Sequence, residues 1–449
     1  KFLKGSKNIM AKRLLVLSVD AMVTEDVDAI RSMPNFRKYL AGGSEFRGGM
    51  RTIYPSVTYP IHVSILTGCY AGKHQITSNF KFTTTNRDDN WIWFSDRIAV
   101  EDIFTAAKRA GLKTASVSWP VTGCNPNVDY LIDEYWMPEP GDTLESSFRR
   151  AGSSDEVIEI MQSHTDMLGE GWEKGGKKNF MQWPKVDNWI IACTCDILRK
   201  FRPEVTFVHT GAFDITRHQH GVFSSYLDEC RANLDRYIGQ LGSTLEELGL
   251  LEETNIIMVS DHGQRDINRS INLNVKLADA GLIGVNEDGK VTNWRAYCFS
   301  NAMSTLVYVK DPKDEKLVAQ VYQTLRDLQE EGVFGIGRIY TAEEADREEG
   351  LKGDFTFVIE SDGYTSFGDR AVRPLVQNFD ASDYRFGRAT HGYMPDYGPQ
   401  PVFVAKGPAI REGVELGRGR VIDEAPTFAK IIGQTLPQAD GKPIDEILK

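Results

Sequence analysis

Short apolar runs occur along the chain, each followed by polar or glycine-containing sequence. They fall at residues 14–19, 205–208, 256–259 and 402–405 and are rich in β-branched or aromatic side chains. Runs of this length are typical of buried strands in a parallel sheet. Between them, apolar residues recur at helical spacing, as in residues 227–241. Strands that alternate with helices predict an α/β fold, with helices on both faces of a mostly parallel central sheet.

The pattern changes in the second half of the chain. Residues 304–309 and 353–361 are predicted strands, and an apolar stripe over residues 317–328 predicts a helix between them. We therefore predict a smaller α/β subdomain inserted into the main core. The core would comprise residues 11–264 and 385–449, and the insertion residues 265–384.

Polar composition indicates a different kind of segment at residues 152–188. This stretch is rich in glycine and lysine and contains the sequence EGWEKGGKK. It predicts an exposed excursion from the core.

The overall composition is that of a globular protein and limits the classes of partner. The chain has 449 residues, 41% of them hydrophobic, and a formal net charge of −11. An acidic chain lacks the positive field that binds duplex nucleic acid or anionic membrane. Apolar stretches fall short of the roughly 18 residues of a membrane span. We therefore expect a small-molecule ligand; the sequence does not predict an oligomeric state.

Cysteine usage and the N-terminal residues bear on the compartment. The six cysteines have neither disulfide-scaffold density nor paired metal-binding spacing. Reduced, buried thiols favour the cytoplasm. The first ten residues, KFLKGSKNIM, lack the apolar run of a signal peptide. If a leader has been removed, secretion or a periplasmic location is the alternative.

Aspartate and histidine residues follow three of the predicted strands, and His391 stands just before the last one. The carboxyl ends of parallel strands share one edge of a sheet, where open α/β folds place their ligands. Each residue alone has an ordinary role as a helix cap or turn residue, so only the combination indicates a function. Mixed carboxylate and imidazole groups are ligands for zinc and similar cations. The candidate ligands are Asp20, Asp214, His218, Asp261, His262 and His391.

A candidate nucleophile precedes a predicted helix in the sequence TIYPSVTYPIHVSILTG. Thr58 stands two residues before Pro60, and proline is favoured in the first turn of a helix. Helix N-termini attract anions such as phosphate. A threonine hydroxyl is a poor nucleophile unless it is activated, and a neighbouring metal ion would activate it.

Several segments resemble the nucleotide pyrophosphatase/phosphodiesterase branch of the alkaline phosphatase superfamily. The order of the six candidate ligands and Thr58 along the chain matches the family order. The resemblance covers about residues 14–407 and implies an alkaline-phosphatase-like core. The segments that carry it are VTYPIHVSILTGCYAGKHQITSN, SWP, GDFTFVIESDGY, THGYMPD and VFVAKGP.

The resemblance implies a two-metal mechanism with two Zn²⁺ per chain, or alternatively Mn²⁺ or another divalent cation. Thr58 would bridge to phosphorus and form a phosphothreonine, which water then hydrolyses. Asn79 would donate a hydrogen bond to a non-bridging phosphate oxygen. One ion would be held by Asp214, His218 and His391, and the other by Asp20, Asp261 and His262.

The resemblance also suggests an apolar slot for the group attached to phosphorus. Tyr59 fits the aromatic residue that stacks in this slot, and Trp91 or Trp93 is the candidate for the opposite wall. Many family members carry a tyrosine where this chain has His209. We expect His209 to make the slot more polar.

Three classes of reaction remain open at this point. The favoured prediction is hydrolysis of phosphodiester or nucleotide pyrophosphate bonds. The second is hydrolysis of a phosphomonoester or of a phosphonate such as phosphonoacetate. A monoester carries an additional charge and would require a cation, for which Arg217 and Arg265 are candidates. The third is a metal-dependent phosphotransferase or mutase.

Overall fold

A computed structural model of the protein describes residues 13–449. The basic N-terminal segment and residues 11–12 of the predicted core lie outside this range. The strands are β1 Arg13–Val19, β2 Ser44–Phe46, β3 Met50–Arg51, β4 Thr114–Val117, β5 Tyr130–Ile132, β6 Val205–Thr210, β7 Thr254–Val259, β8 Arg265–Asp266, β9 Arg269–Ile271, β10 Ile283–Val285, β11 Val291–Trp294, β12 Ala296–Ser300, β13 Ser304–Val309, β14 Ile336–Thr341, β15 Phe357–Ser361, β16 Thr365–Phe367, β17 Val376–Gln377, β18 Ala389–Thr390, β19 Phe403–Lys406, β20 Glu415–Leu416 and β21 Gly419–Arg420. The α-helices are α1 Thr24–Ile30, α2 Pro34–Tyr39, α3 Thr58–Thr67, α4 Ala71–His74, α5 Ile103–Arg109, α6 Leu144–Arg150, α7 Asp155–Ser163, α8 Lys177–Phe180, α9 Lys185–Phe201, α10 Ala212–His220, α11 Leu227–Glu247, α12 Leu273–Asp279, α13 Glu315–Glu331, α14 Ala342–Glu349 and α15 Glu424–Ile431.

The central sheet has eight strands in the order β20-β2-β19-β7-β1-β6-β4-β5. The five strands from β7 to β5 are parallel to one another. Side chains of β1 alternate between two buried clusters, so the sheet has a core on each face. Helices α9 and α11 contribute to one cluster, and α3, α5 and α15 to the other. The predicted α/β fold, with a mostly parallel sheet and helices on both faces, is confirmed.

The predicted parallel direction of the last large strand is wrong. β19 is antiparallel to β7, with Phe403 beside Val259, and it is also antiparallel to β2. Its amino-terminal end therefore lies at the edge where β7 ends. Because β19 runs in this direction, the segment that precedes it lies at the same edge of the sheet as the residues that follow β1 and β7.

A second sheet, entirely antiparallel, has the order β12-β13-β15-β14. Helix α13 packs on it through Leu317, Val321, Leu325 and Leu328, which are buried as the stripe predicted. The strand predicted from residue 353 begins later, at Phe357. This sheet lies within residues 265–384, and the division into core and insertion stays a prediction.

The expectation of an exposed excursion at residues 152–188 is wrong for helix α7, while most of the EGWEKGGKK stretch is exposed or partly exposed. Helix α7 buries Val157, Ile158, Ile160 and Met161 in the core. Its sequence is polar overall, but the apolar positions share one face. The polar composition of the whole segment therefore gave no indication of this amphipathic helix.

Among the described helices, none combines the length and the apolar character that a membrane crossing requires.

Candidate metal centre

Two neighbouring strands position the first set of ligands. β1 ends at Val19 and β7 at Val259, and Ser18 pairs with Val259 across the two strands. Asp20 comes directly after β1, while Asp261 and His262 come after β7. Because the strands are parallel and in register, the three side chains emerge together at one edge of the sheet. We call Asp20, Asp261 and His262 the strand group.

A helix and a loop position the remaining ligands. Asp214 and His218 stand one turn apart on α10, with Nε2 of His218 3.1 Å from Oδ2 of Asp214. His391 lies between β18 and β19, and its Nε2 is 3.9 Å from Oδ1 of Asp214. We call Asp214, His218 and His391 the helix group.

The two groups meet at His262. Ligand atoms of Asp20, Asp261 and His262 all lie within 4.8 Å of one another. The same holds for Asp214, His262 and His391. The structure therefore brings all six sequence-predicted ligands into one centre, with His218 joined to it through Asp214.

Backbone carbonyls fix the orientation of all three histidines. Nδ1–H of His218 donates to the carbonyl of Ala389 at 2.7 Å. Nδ1–H of His391 donates to Ser56, and that of His262 to Gly263. Each Nε2 is therefore left with its lone pair available, as in histidines that bind a metal.

Each carboxylate is also held through one oxygen. The side-chain amide of Gln264 donates to Oδ1 of Asp214 at 2.6 Å. The backbone N–H of Ala21 donates to Oδ1 of Asp261 at 3.1 Å, and Nε2 of His209 lies 3.2 Å from Oδ2 of Asp20. Oδ1 of Asp20 and Oδ2 of Asp261 are buried without a hydrogen-bond partner. Unpartnered buried carboxylate oxygens beside open imidazole nitrogens fit divalent cations.

The electrostatics of the centre favour a cation. Burial, followed by the negative charges of Asp261 and Asp214, raises the pKa of Asp20 well above its ordinary value. Burial and the nearby His262 lower the pKa of His391 well below its ordinary value. The centre thus holds closely spaced carboxylates beside a neutral imidazole. A divalent cation would relieve the repulsion between the carboxylates.

A buried carboxylate that the sequence did not indicate, that of Asp187, holds the N-terminus of helix α10. Asp187 accepts hydrogen bonds from the backbone N–H groups of Gly211 and Ala212 at 3.0 and 3.1 Å. Burial raises the pKa of Asp187 to about 7. Its sequence position gives little signal, because Asp187 lies on α9, far from Asp214 in the chain.

Thr58 is the first residue of α3, as predicted, and is buried with 8% of its surface exposed. Its Oγ1 lies 3.2 Å from Nε2 of His262. The carbonyl of Thr58 accepts a hydrogen bond from Nδ1–H of His62 at 2.9 Å. The hydroxyl therefore faces the metal centre from the N-terminus of α3, and the hydrogen bond from His62 fixes this end of the helix.

Asn79 lies next to Thr58. Its Oδ1 accepts a hydrogen bond from the backbone N–H of Tyr59 at 2.9 Å, and the side chain is 4% exposed. This contact fixes the amide, so that its NH₂ group is the part left to donate elsewhere.

The predicted substrate-slot residues take different positions. Tyr59 is only 1% exposed, and its ring packs against Trp91 with a centroid distance of 5.3 Å. Trp91 lines a large cleft, together with Trp93. His209 is buried behind Asp20, with Nδ1–H donating to the carbonyl of Ser118. Trp91 therefore belongs to the lining of the cleft, whereas Tyr59 does not.

The cleft has a volume of about 1210 Å³, and neither the six ligands nor Thr58 and Asn79 belong to its lining. Its wall includes Tyr384, whose ring lies parallel to that of His391 at 5.2 Å between centroids. On the other side, the ammonium of Lys177 lies 4.7 Å from the centre of the Trp91 ring. The cleft is thus large enough for a substrate with substantial groups on both sides of a phosphate.

Sequence reasoning missed Gln264 and Tyr384 as well as Asp187. Gln264 stands beside Asp261 and His262 in the chain, so its position was a usable signal. Tyr384 lies close to His391 in sequence but belongs to a segment without clear periodicity. No pattern in the sequence indicated its stacking on a ligand.

The sequence of the chain matches a known family. The family model described as type I phosphodiesterase / nucleotide pyrophosphatase matches residues 14–393. The chain therefore belongs to this family, a branch of the alkaline phosphatase superfamily, which confirms the resemblance found in the sequence.

Individual relatives are distant. Murine ectonucleotide pyrophosphatase/phosphodiesterase 5 has the same fold, with a TM-score of 0.65 and 18% identity over 97% of this chain and 100% of that chain. Ectonucleotide pyrophosphatase/phosphodiesterase family member 1 of Mus musculus is 23% identical over 53% of this chain and 22% of its own length. A venom phosphodiesterase of Naja atra is 23% identical over 57% of this chain and 26% of its own length. The chain thus matches only about a quarter of the length of these curated relatives.

Proposed function

We propose that the protein is a metal-dependent hydrolase of phosphodiester or nucleotide pyrophosphate bonds that acts through a phosphothreonine at Thr58. The observation that carries this proposal is the contact of 3.2 Å between Oγ1 of Thr58 and Nε2 of His262, inside a centre of six oriented ligands. A hydroxyl at a helix N-terminus beside such a centre suits nucleophilic attack on a phosphate.

We assign two divalent cations, preferably Zn²⁺, to the helix group and the strand group. The three imidazoles and three carboxylates form a donor set that zinc accepts, and Mn²⁺ is the alternative. When bound, the cations would supply charge neutralisation for the phosphoryl group and the leaving oxygen, and would favour ionisation of the Thr58 hydroxyl.

Thr58 and Asn79 perform the chemistry in this proposal. Oγ1 of Thr58 attacks phosphorus, the alcohol or phosphate leaving group departs in line, and water then cleaves the phosphothreonine. The NH₂ group of Asn79 donates to a non-bridging oxygen, since its Oδ1 is occupied by the backbone of Tyr59. Two successive displacements retain the configuration at phosphorus.

Two arginines bear on the choice between diester and monoester. Arg217 is fully buried and forms an ion pair with Asp26. Arg265 lies over the rings of Tyr364 and Tyr393. Arg217 and Arg265 stand next to candidate ligands in the sequence. In the structure, however, both guanidinium groups contact other residues. Neither arginine therefore supplies the additional cation that a monoester was expected to require, which favours a diester over a monoester held by these two residues.

The relatives support the same substrate class and bear on the compartment. A structure of murine ectonucleotide pyrophosphatase/phosphodiesterase 5, in an inactive variant, contains AMP. Other relatives are named ectonucleotide and venom enzymes. For this chain we therefore prefer secretion or a periplasmic location to the cytoplasm, although its six cysteines carry no disulfide.

The test is a comparison of rates on purified, zinc-loaded protein. The substrates are thymidine monophosphate p-nitrophenyl ester, bis-p-nitrophenyl phosphate and p-nitrophenyl phosphate. We expect the nucleotide diester to have the highest kcat/KM, with Trp91 as a wall of the slot. The highest kcat/KM on the monoester, or inactivity on all three, would reject the proposal in favour of a monoester or phosphonate substrate.

A further inference from the structure

His209 occupies a position between the central sheet and the strand group. It belongs to β6, directly opposite Ser18 of β1, and is 2% exposed. Nε2 lies 3.2 Å from Oδ2 of Asp20, and Nδ1 lies 3.0 Å from the carbonyl oxygen of Ser118. The imidazole therefore spans the gap between the end of β4 and the first ligand of the strand group.

The second oxygen of the same carboxylate has a different environment. Oδ1 of Asp20 is buried without a hydrogen-bond partner and lies 3.6 Å from Nε2 of His262. Contact of Oδ2 with His209 fixes the rotation of the carboxylate. Oδ1 is then the oxygen that points into the metal centre.

The surroundings of His209 fix its own position closely. Its ring packs edge-on against His62, with 4.5 Å between centroids. Ser118, whose carbonyl receives Nδ1–H, has a left-handed backbone with φ of 58°. This conformation is costly for a residue with a side chain and persists only where neighbouring contacts impose it. The imidazole is thus held from two sides before any metal binds.

We propose that His209 is a positioning residue that orients Asp20 toward the cation of the strand group. It does not contact substrate, because Asp20, Ser118 and His62 surround its ring. Loss of a residue that contacts a ligating side chain typically changes metal affinity by about 10- to 100-fold. Many family members carry a tyrosine where this chain has His209, and in this proposal the histidine affects metal binding.

The experiment measures Zn²⁺ affinity of the apoprotein by competition with a chelator, without substrate. His209→Phe keeps an aromatic ring but removes both nitrogen contacts, and we expect one ion to bind about 10- to 100-fold more weakly. Since no turnover is measured, this result is independent of the proposed reaction.

His74→Phe is the matched control. His74 is equally buried, and its Nε2 contacts Ser64 of α3 at 3.0 Å instead of a residue of the strand group. We expect both zinc affinities to remain unchanged in this variant. An equal loss in both variants would show a general effect of burying phenylalanine and would overturn the proposal.

A pair of smaller substitutions decides the question if His209→Phe fails to fold. The amide nitrogen of glutamine reaches the position of Nε2, whereas that of asparagine does not. We expect His209→Gln to bind zinc within a few-fold of wild type and His209→Asn to bind about 10-fold more weakly. Wild-type affinity in both variants, or a change in KM alone, would reject the assignment.

Discussion

The strand group and the helix group belong to one candidate metal centre, but different structural elements hold their side chains in place. Asp20, Asp261 and His262 come after two adjacent strands that pair along their whole length in the middle of the sheet. Asp214 and His218 depend on the start of α10, and His391 on the segment that joins β18 to β19. Pairing of the two strands thus places the backbone of the strand group, and nearby contacts such as that of His209 with Asp20 orient its side chains. The helix group requires additional contacts from other parts of the chain.

This difference predicts where the centre is easiest to disturb. Asp187 holds the N-terminus of α10, Gln264 holds Asp214, and Tyr384 covers His391. Removing any one of these supports should affect the helix group first, and the strand group should keep its metal affinity.

Thr58→Ala tests the reaction while leaving both ligand groups complete. We expect kcat to fall by roughly 10³-fold or more, since the nucleophile is lost. Zinc content, measured by elemental analysis, should be unchanged because Thr58 supplies only a hydroxyl to the centre. Thr67→Ala, at the other end of α3, is the matched control and should retain activity. Wild-type turnover in Thr58→Ala would exclude Thr58 as the nucleophile.

His391→Ala should separate the two groups. The helix group loses one of its three ligands, while the strand group keeps all of its own. We expect the metal content to fall from about two ions to about one per chain. Elemental analysis after dialysis against a weak chelator measures this change. An unchanged metal content would contradict the assignment of His391 as a ligand.

Asp187→Asn should show that the contribution of Asp187 to the free energy of unfolding depends on pH. The ordinary pKa of an aspartate is about 3.9, and in the folded protein burial raises that of Asp187 to about 7. The unfolded chain therefore ionises first as pH rises from about 4 to 7. Over this range the wild type should lose free energy of unfolding relative to Asp187→Asn, on the order of a few kcal/mol.

Urea unfolding of the two zinc-free proteins at pH 5 and pH 7.5 measures this difference. If the wild type instead gains stability relative to the asparagine variant as pH rises, the folded protein holds Asp187 as a carboxylate. The N-terminus of α10 would then outweigh the effect of burial.

Tyr384→Leu should have the smallest effect. The ring stacked on His391 is lost, but the hydrogen bond from His391 to Ser56 remains. We expect zinc affinity of the helix group to fall only a few-fold. Tyr322→Leu, a partly exposed tyrosine on α13, is the control in the same chelator titration. A loss as large as that in His391→Ala would mean that Tyr384 determines the position of the whole loop.

The strand group was predictable because its residues come directly after apolar runs. The end of a buried strand is visible in the sequence at Val19 and Val259, and the parallel arrangement places the next residues of both segments at one edge. Thr58 was predictable for a similar local reason, since Pro60 marks the first turn of α3.

The supports of the helix group could not be found in the same way. Asp187 and Asp214 are brought together by the packing of α9 against the sheet, which no local pattern encodes. The direction of β19 was also not visible, because a short apolar run has the same composition in either orientation. The burial of His209 and Tyr59 depends on neighbours from distant segments for the same reason.

The antiparallel direction of β19 has a consequence for the order of synthesis. Ligands of the strand group leave the ribosome by residue 262, whereas His391 and the strand that pairs with Val259 emerge only in the last part of the chain. Domains fold as their segments emerge, so the centre stays incomplete until the segment with His391 and β19 has been made. A nascent or truncated chain that lacks His391 and β19 lacks a metal ligand and a sheet strand at the same time. Pairing of this strand with β7 and completion of the helix group therefore depend on the same segment of the chain.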